Sequence, residues 1–190
     1  MGSLSVAAAP IAPPLQYAAP SQCWVWPVMS SAAQATAEGT IQFTPLYVPK
    51  GILNSIGFEV QTTVGGVGSV VRTGLYLPHP TEWRPYDLLR DNGTVSAETT
   101  GLKQISVMQQ WSGGFLWCAF VVQGGVSPLP SVRSAVQVQD YYYQTALFAS
   151  PSNMQNRNFA SGTQYPGALP NRPGLSGGVA NSPMFGFMMD

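Results

Sequence analysis

This chain is short of charge. Asp, Glu, Lys and Arg make up 8% of its 190 residues, against about a quarter in an ordinary soluble domain. Eight basic side chains balance eight acidic ones, so the formal net charge is zero. With no basic stripe, binding along a nucleic-acid backbone is disfavoured. There is no acidic cluster, and one histidine with two cysteines cannot complete a zinc site alone. No C-x-x-C pair occurs. The acids are scattered singly. Only Glu82 and Asp87 share a plausible rim loop, whereas a glycosidase needs two carboxylates across a cleft. The expectation is a non-enzyme with no catalytic residue, no metal ligand and no cofactor. A membrane partner is not expected either. The segment SVAAAPIAPPL is too short and too broken by proline to span a bilayer, and it lacks the basic flank of a signal peptide.

What the chain does have is a surface made polar by Ser, Thr, Gln, Asn and Gly. With no net charge, such a surface protects a free monomer poorly against association. The chain is expected to live packed against neighbours, as a homo-oligomer in a symmetric assembly.

Strand patterns recur at the spacing of an all-β sandwich or barrel. Thr40–Val48 carries Ile41 and Phe43 and then, after Pro45, Leu46 and Val48. Ile52–Thr62 and Ser69–Leu77 alternate, with Gly57 a candidate bulge. Leu102–Met108 alternates, and Phe115–Gln123 is apolar throughout, as a strand buried on both faces is. Gln22–Met29, Ser134–Gln139 and Tyr141–Ala149 complete the strand set, and Met29–Ala37 reads as a short helix or a loop. Asp91–Asn92–Gly93 and Ser112–Gly113–Gly114 read as turns. The fold class is therefore an antiparallel β-sandwich, with Phe58, Val71, Leu75, Ile105, Trp117 or Cys118, and Phe120 in the core. Cys23 and Cys118 read as buried thiols, and their spacing implies no disulfide.

The sandwich is assigned to residues 21–149. Residues 1–20 form an Ala/Pro arm of extended, polyproline-like character. Residues 150–190 hold five Pro, six Gly and five Asn with three charges. That is arm composition, and no core is expected from it. Fixing each backbone residue costs roughly 1–2 kcal/mol, so such an arm is expected to be ordered only against a partner. The sandwich alone is expected to fold without it.

Several runs resemble the β-sandwich modules of bacteriophage tail and other virion structural proteins, of the type found in phages of actinobacteria. They are RTGLYLP, LLRDNGTV, TGLKQISV and GGFLWCAFVV. The matching residues are Arg72, Gly74, Leu75, Tyr76, Leu88, Leu89, Asp91, Gly93, Thr94, Val95, Gly101, Lys103, Ile105, Gly114, Leu116, Trp117 and Ala119. TPLYVPKGILNSIGFEV looks like the same modules' first long hairpin, and the likeness covers about residues 38–125. It implies a jelly-roll-like sandwich located in a virion, as a minor tail or capsid-decoration component whose partners are other virion proteins. The loop LPHPTEWRPYD departs from the glycine-rich loop of such modules. Carbohydrate-binding relatives use exposed Trp and Tyr, so host attachment through a cell-surface glycan is the alternative.

Candidate contact residues follow. Trp83, Arg84 and Tyr86 read either as a recognition platform or as a loop closing the end of the sandwich, since Trp, Tyr and Arg dominate binding hot spots. His79 between two prolines reads as a packed or solvated loop residue. Tyr141, Tyr142 and Tyr143 face alternate sides of a strand, either at a rim or at an interface. Met184, Phe185, Phe187, Met188 and Met189 read as a terminal anchor for a groove on a neighbour, or as a tail folded back on its own sandwich.

Overall fold

A computed structural model describes residues 17–18, 22–23, 30–35, 37–63, 68–82, 84–125, 129–136, 158–179, 181–183 and 185–189. Among the described residues all regular structure is β. Strands β1 (Tyr17–Ala18) and β2 (Gln22–Cys23) pair with each other. The sandwich is built from β3 (Ser30–Ala35), β4 (Thr40–Val48), β5 (Gly51–Thr62), β6 (Val70–Pro78), β7 (Pro85–Ser96), β8 (Gly101–Trp111), β9 (Gly114–Gln123) and β10 (Ser131–Val136). Then come β11 (Asn158–Gln164), β12 (Leu175–Val179), β13 (Asn181–Pro183) and β14 (Gly186–Met189).

The eight sandwich strands pair as a nest of antiparallel ladders: β6 with β7, β5 with β8, β4 with β9, and β3 with β10. Strand β9 also pairs with β6, and β10 with β5. One sheet therefore contains β4-β9-β6-β7 and the other β3-β10-β5-β8. A nest of hairpins folded over into two sheets in this order is a jelly roll.

Alternation fills the space between the sheets. Leu46 and Val48 of β4, Ile56 and Phe58 of β5, Val71 and Leu75 of β6, Ile105 and Val107 of β8, and Leu116, Cys118 and Phe120 of β9 form one core cluster. At roughly 1.5–3 kcal/mol for each large side chain buried, this cluster holds the sandwich shut. Every single-residue core expectation is met. Trp117 and Cys118 are both buried, but on opposite sides of β9.

A second cluster lies on the outer face of the β4-β9-β6-β7 sheet: Ile41, Phe43, Tyr76, Trp117, Ala119 and Val121, with Leu169. Phe43 and Tyr76 meet edge to face at 5.2 Å. The pairing of β4 with β9 runs unbroken from Gln42 to Val48. Pro45 therefore causes no slip, and Ile41 and Phe43 face outward while Leu46 and Val48 face inward. β9 is buried on both faces from Leu116 to Gln123, with Leu169, Tyr165 and Leu175 packed on the outer cluster.

This overturns the boundary at residue 150. The C-terminal residues are layers of the domain, not an arm: β11 pairs with β4 and β12 with β11, extending one sheet. β13 pairs with β10 and β14 with β5 in the other. β10 and β5 touch only at Ser131–Thr62 and Val132–Val60 before they part. β13 and β14 fill that fork. The anchor reading for a neighbouring chain is corrected accordingly. Phe185, Phe187 and Met189 are buried in this chain's own core, and Phe185 lies 6.1 Å from Phe120. The physical reason is that a splayed pair of strands leaves backbone groups and apolar side chains that the nearest apolar strand satisfies.

Other expectations also change. Ser30–Ala35 is a strand, not a helix or loop. Asp91–Asn92–Gly93 is no turn: it lies within β7, where the register with β6 shifts between Thr73 and Gly74 and Gly93 takes φ 83°. The irregularity expected at Gly57 lies instead between Leu53 and Ser55. The loop expected over Pro78–Asp87 is shorter, because β7 begins at Pro85. Residues 1–16, Trp83, Tyr141, Tyr142, Tyr143 and Met184 lie outside the described residues.

Candidate functional site

The richest polar constellation ties residues 165–172 across the outer sheet face. Along β6, Val71, Thr73 and Leu75 point inward, which leaves Arg72, Gly74 and Tyr76 facing out at every second position. Gly74 and Tyr76 meet the covering strap directly, and Arg72 reaches it through Asp91 and Gln123. Arg72 Nη1 donates to both carboxylate oxygens of Asp91, at 3.0 and 2.9 Å. Arg72 Nε donates to Gln123 Oε1 at 3.2 Å, and Gln123 Nε2 donates to the carbonyls of Tyr165 and Gly167 at 2.8 and 2.6 Å. Asp91 also accepts from the backbone N–H groups of Gly93 at 3.0 Å and Leu169 at 3.1 Å. The Tyr76 hydroxyl donates to the Pro170 carbonyl at 2.7 Å. Leu88 N donates to the Asn171 carbonyl at 2.8 Å. Burial, with the Asp91 carboxylate adding to it, pushes the Tyr76 phenol well above the usual tyrosine range.

The strap ends at the rim. Arg172 Nε donates to Asp87 Oδ1 at 2.7 Å, and its guanidinium lies 4.3 Å from the Tyr86 ring centre. His79 packs against the same ring at 4.6 Å, with the planes nearly perpendicular. Arg84 donates to Glu82 at 2.6 Å, which holds that carboxyl below its ordinary range, and Arg84 also approaches Tyr86 at 5.8 Å. His79 Nδ1 accepts from the backbone N–H of Thr81 and Glu82 at 3.3 and 3.2 Å. That nitrogen closes a turn. Of the first candidate group, then, the structure brings Arg84 and Tyr86 together in a self-paired cluster. The Tyr86 ring already carries a cation and an imidazole from its own chain, so it is not an open stacking platform.

Among the described residues of the terminal group, only Met188 stands partly open. It lies on the outer face of the β3-β10-β5-β8 sheet, where Gln104 Nε2 donates to Ser55 Oγ at 2.6 Å and contacts Met188 Sδ at 3.2 Å. The large apolar side chains most exposed among the described residues are on that sheet too: Leu102 and Met108 at 63%, and Ile52 at 41%. Sequence reasoning passed over all three. The signal was available in the alternation of β8, where Ile105 and Val107 claim the inner face and leave Leu102 and Met108 outside.

Among the described residues, no group of three or more His, Cys, Asp and Glu could hold a metal ion. Cys118 is a free thiol, and burial pushes its pKa up, away from reactivity. No protein-family model matches this chain, and no curated protein matches it.

Proposed function

We propose that this chain is a non-enzymatic structural protein of a bacteriophage virion, a minor tail or capsid-surface component that binds other virion proteins. The observation that carries the reading is a jelly roll whose one outer face is strapped shut while the other presents Ile52, Leu102 and Met108 to solvent. Jelly rolls are used where rigid units pack side by side, as in capsids, and also in lectins. The fold alone decides neither use. The likeness of the RTGLY, DNGTV, TGLKQI and GGFLWCAF runs to phage virion modules favours the first. The sandwich carries the contact, with residues 158–189 built into it.

The alternative, a receptor- or glycan-binding module using the Trp83 and Tyr86 loop, rests on the aromatic rim. It is weakened by the prior engagement of Tyr86 with Arg172 and His79.

The test is to purify particles of the phage that encodes the chain and quantify it by mass spectrometry, with antibody-gold labelling to place it. A fixed ratio to the other structural proteins is expected. Absence from washed particles would reject the reading. Binding of the isolated protein to a glycan array, abolished by Tyr86→Ala, would shift it to the alternative.

A further inference from the structure

The outer face of β8 carries a row of exposed, uncharged side chains: Leu102, Gln104, Ser106, Met108 and Gln110. Across from Gln110 on β5 stands Ile52. On that outer face the charges beside the row neutralise each other, because Arg133 forms two hydrogen bonds with the Glu59 carboxylate, while Lys103 alternates to the other side of β8 and donates to Thr99 Oγ1. From these residues we infer that this face docks on the same face of a second copy of the chain. The inference deepens the assembly reading, on which it rests for its setting, by naming the surface and the partner.

Three observations select a second copy. First, a face without net charge meets its own image with no like-charge repulsion, and the whole chain, with zero net charge, adds none. Second, a two-fold contact brings each residue against a symmetry mate or its neighbour. Glutamine and serine side chains suit this, since each both donates and accepts a hydrogen bond, whereas a row of one charge sign would not. Third, pairing through the strand edge is blocked. Among the described strands β8 pairs only with β5, but its free edge carries Lys103 and an irregular register near Met108. Both are devices that stop strand-to-strand growth. Association is thereby directed to the face.

Met108 strengthens the point. It is the one non-glycine among the described residues with positive φ, at 50°, and it holds a large apolar side chain 63% exposed. The irregular register explains the backbone, but not why the side chain it leaves in water is a large apolar one. That is understandable where a partner covers the side chain. Strands β8 and β5 side by side measure roughly 26 by 10 Å, which is less than the ~800 Å² per partner of a stable complex. The contact is therefore weak per copy and gains from repetition in a symmetric particle.

The test uses the full-length chain. Ser106→Cys places a thiol at the middle of the row, near the two-fold axis. Mild oxidation of the concentrated protein is expected to give a covalent dimer, and Thr81→Cys at the rim is expected to stay monomeric under the same conditions. Analytical ultracentrifugation of the unmodified chain is expected to show concentration-dependent dimerisation. The Leu102→Glu/Met108→Glu variant should lose it by tenfold or more with an unchanged melting curve. A monomer at every concentration with no Ser106→Cys cross-link would overturn the inference while leaving a virion role intact. So would self-association that survives Leu102→Glu/Met108→Glu. Face-dependent dimers formed by a chain absent from particles would overturn the virion reading and leave this one standing.

Discussion

Leu169 rests on the bare backbone of Gly74. A Cβ added at Gly74 would lie 2.2 Å from Leu169 Cδ1 and 3.0 Å from the Arg90 carbonyl oxygen. The leucine could swing aside, but the carbonyl belongs to the paired strand β7 and cannot. Gly74→Ala is therefore expected to lift the strap and cost about 1–3 kcal/mol, the usual penalty of overpacking. Chemical denaturation would measure it. Leu169→Ala should recover part of the loss in the Gly74→Ala background, because it removes the nearer of the two clashes.

Asp91 joins β6, β7 and the strap through one carboxylate. Its pair with Arg72 is about four-fifths shielded from water, and it also serves the N–H groups of Gly93 and Leu169. Asp91→Ala is expected to cost about 1–3 kcal/mol by leaving those donors unpaired. Combined with Tyr76→Phe, which loosens the strap at Pro170, the total should fall short of the sum by more than ~0.5 kcal/mol, because both changes release the same segment. Strict additivity in this cycle would mean that the strap is not held as a unit.

The sandwich was legible in the sequence because its information is in side-chain alternation. Val71, Thr73 and Leu75 against Arg72, Gly74 and Tyr76 give both faces of β6. The unbroken apolar run FLWCAFVV announced a strand covered twice. The covering layer was not legible. Residues 165–172 contribute Leu169 to the core and are otherwise held mainly through backbone groups: the carbonyls of Tyr165, Gly167, Pro170 and Asn171, and the N–H of Leu169. Backbone groups are the same in every residue, so a reading of apolar pattern sees only a Pro/Gly-rich arm. β7 was split for a related reason. Asp91–Asn92–Gly93 has turn chemistry, yet the positive φ of Gly93 serves an irregularity inside a paired strand. The contact residues Arg84 and Tyr86 could be named from composition, but not their partner Arg172, which is 86 positions further on from Tyr86 and meets it only because the strap crosses the sheet.

Alkaline pH should loosen the strap through Tyr76. Its phenol is held protonated in the folded chain above the value of an ordinary tyrosine, chiefly by burial and next by the Asp91 charge. The unfolded chain loses that proton more readily. The stability tied to Tyr76 is thus fully present below the ordinary tyrosine pKa of about 10 and is lost as the pH rises above it. Tyr76→Phe should be less stable than the parent near neutral pH by about 1 kcal/mol, for the hydrogen bond to Pro170. The gap should narrow above pH ~10. Denaturation curves at a series of pH values would check this, and a gap that widens with pH would contradict the assignment.

The tail gives the sharpest test of how the domain is built. Phe185 and Phe187 are 2% and 1% exposed. Each truncation to alanine should cost about 3–5 kcal/mol, as for phenylalanines elsewhere in protein cores. Met188→Ala, on the partly open face, should cost well under that. Native domains are stable by only about 5–15 kcal/mol. Ending the chain at residue 180 removes both phenylalanines and Met189, and it unpairs β5 at Leu53–Gly57 and β10 at Ser134–Val136. That is enough to unfold the sandwich, so a chain ending near residue 150 should be unfolded or aggregated rather than soluble and compact. Near-ultraviolet circular dichroism and a denaturant titration would decide. If the shortened chain kept a cooperative transition at the parental midpoint, the tail would be an appendage after all and its burial in the core incidental to stability.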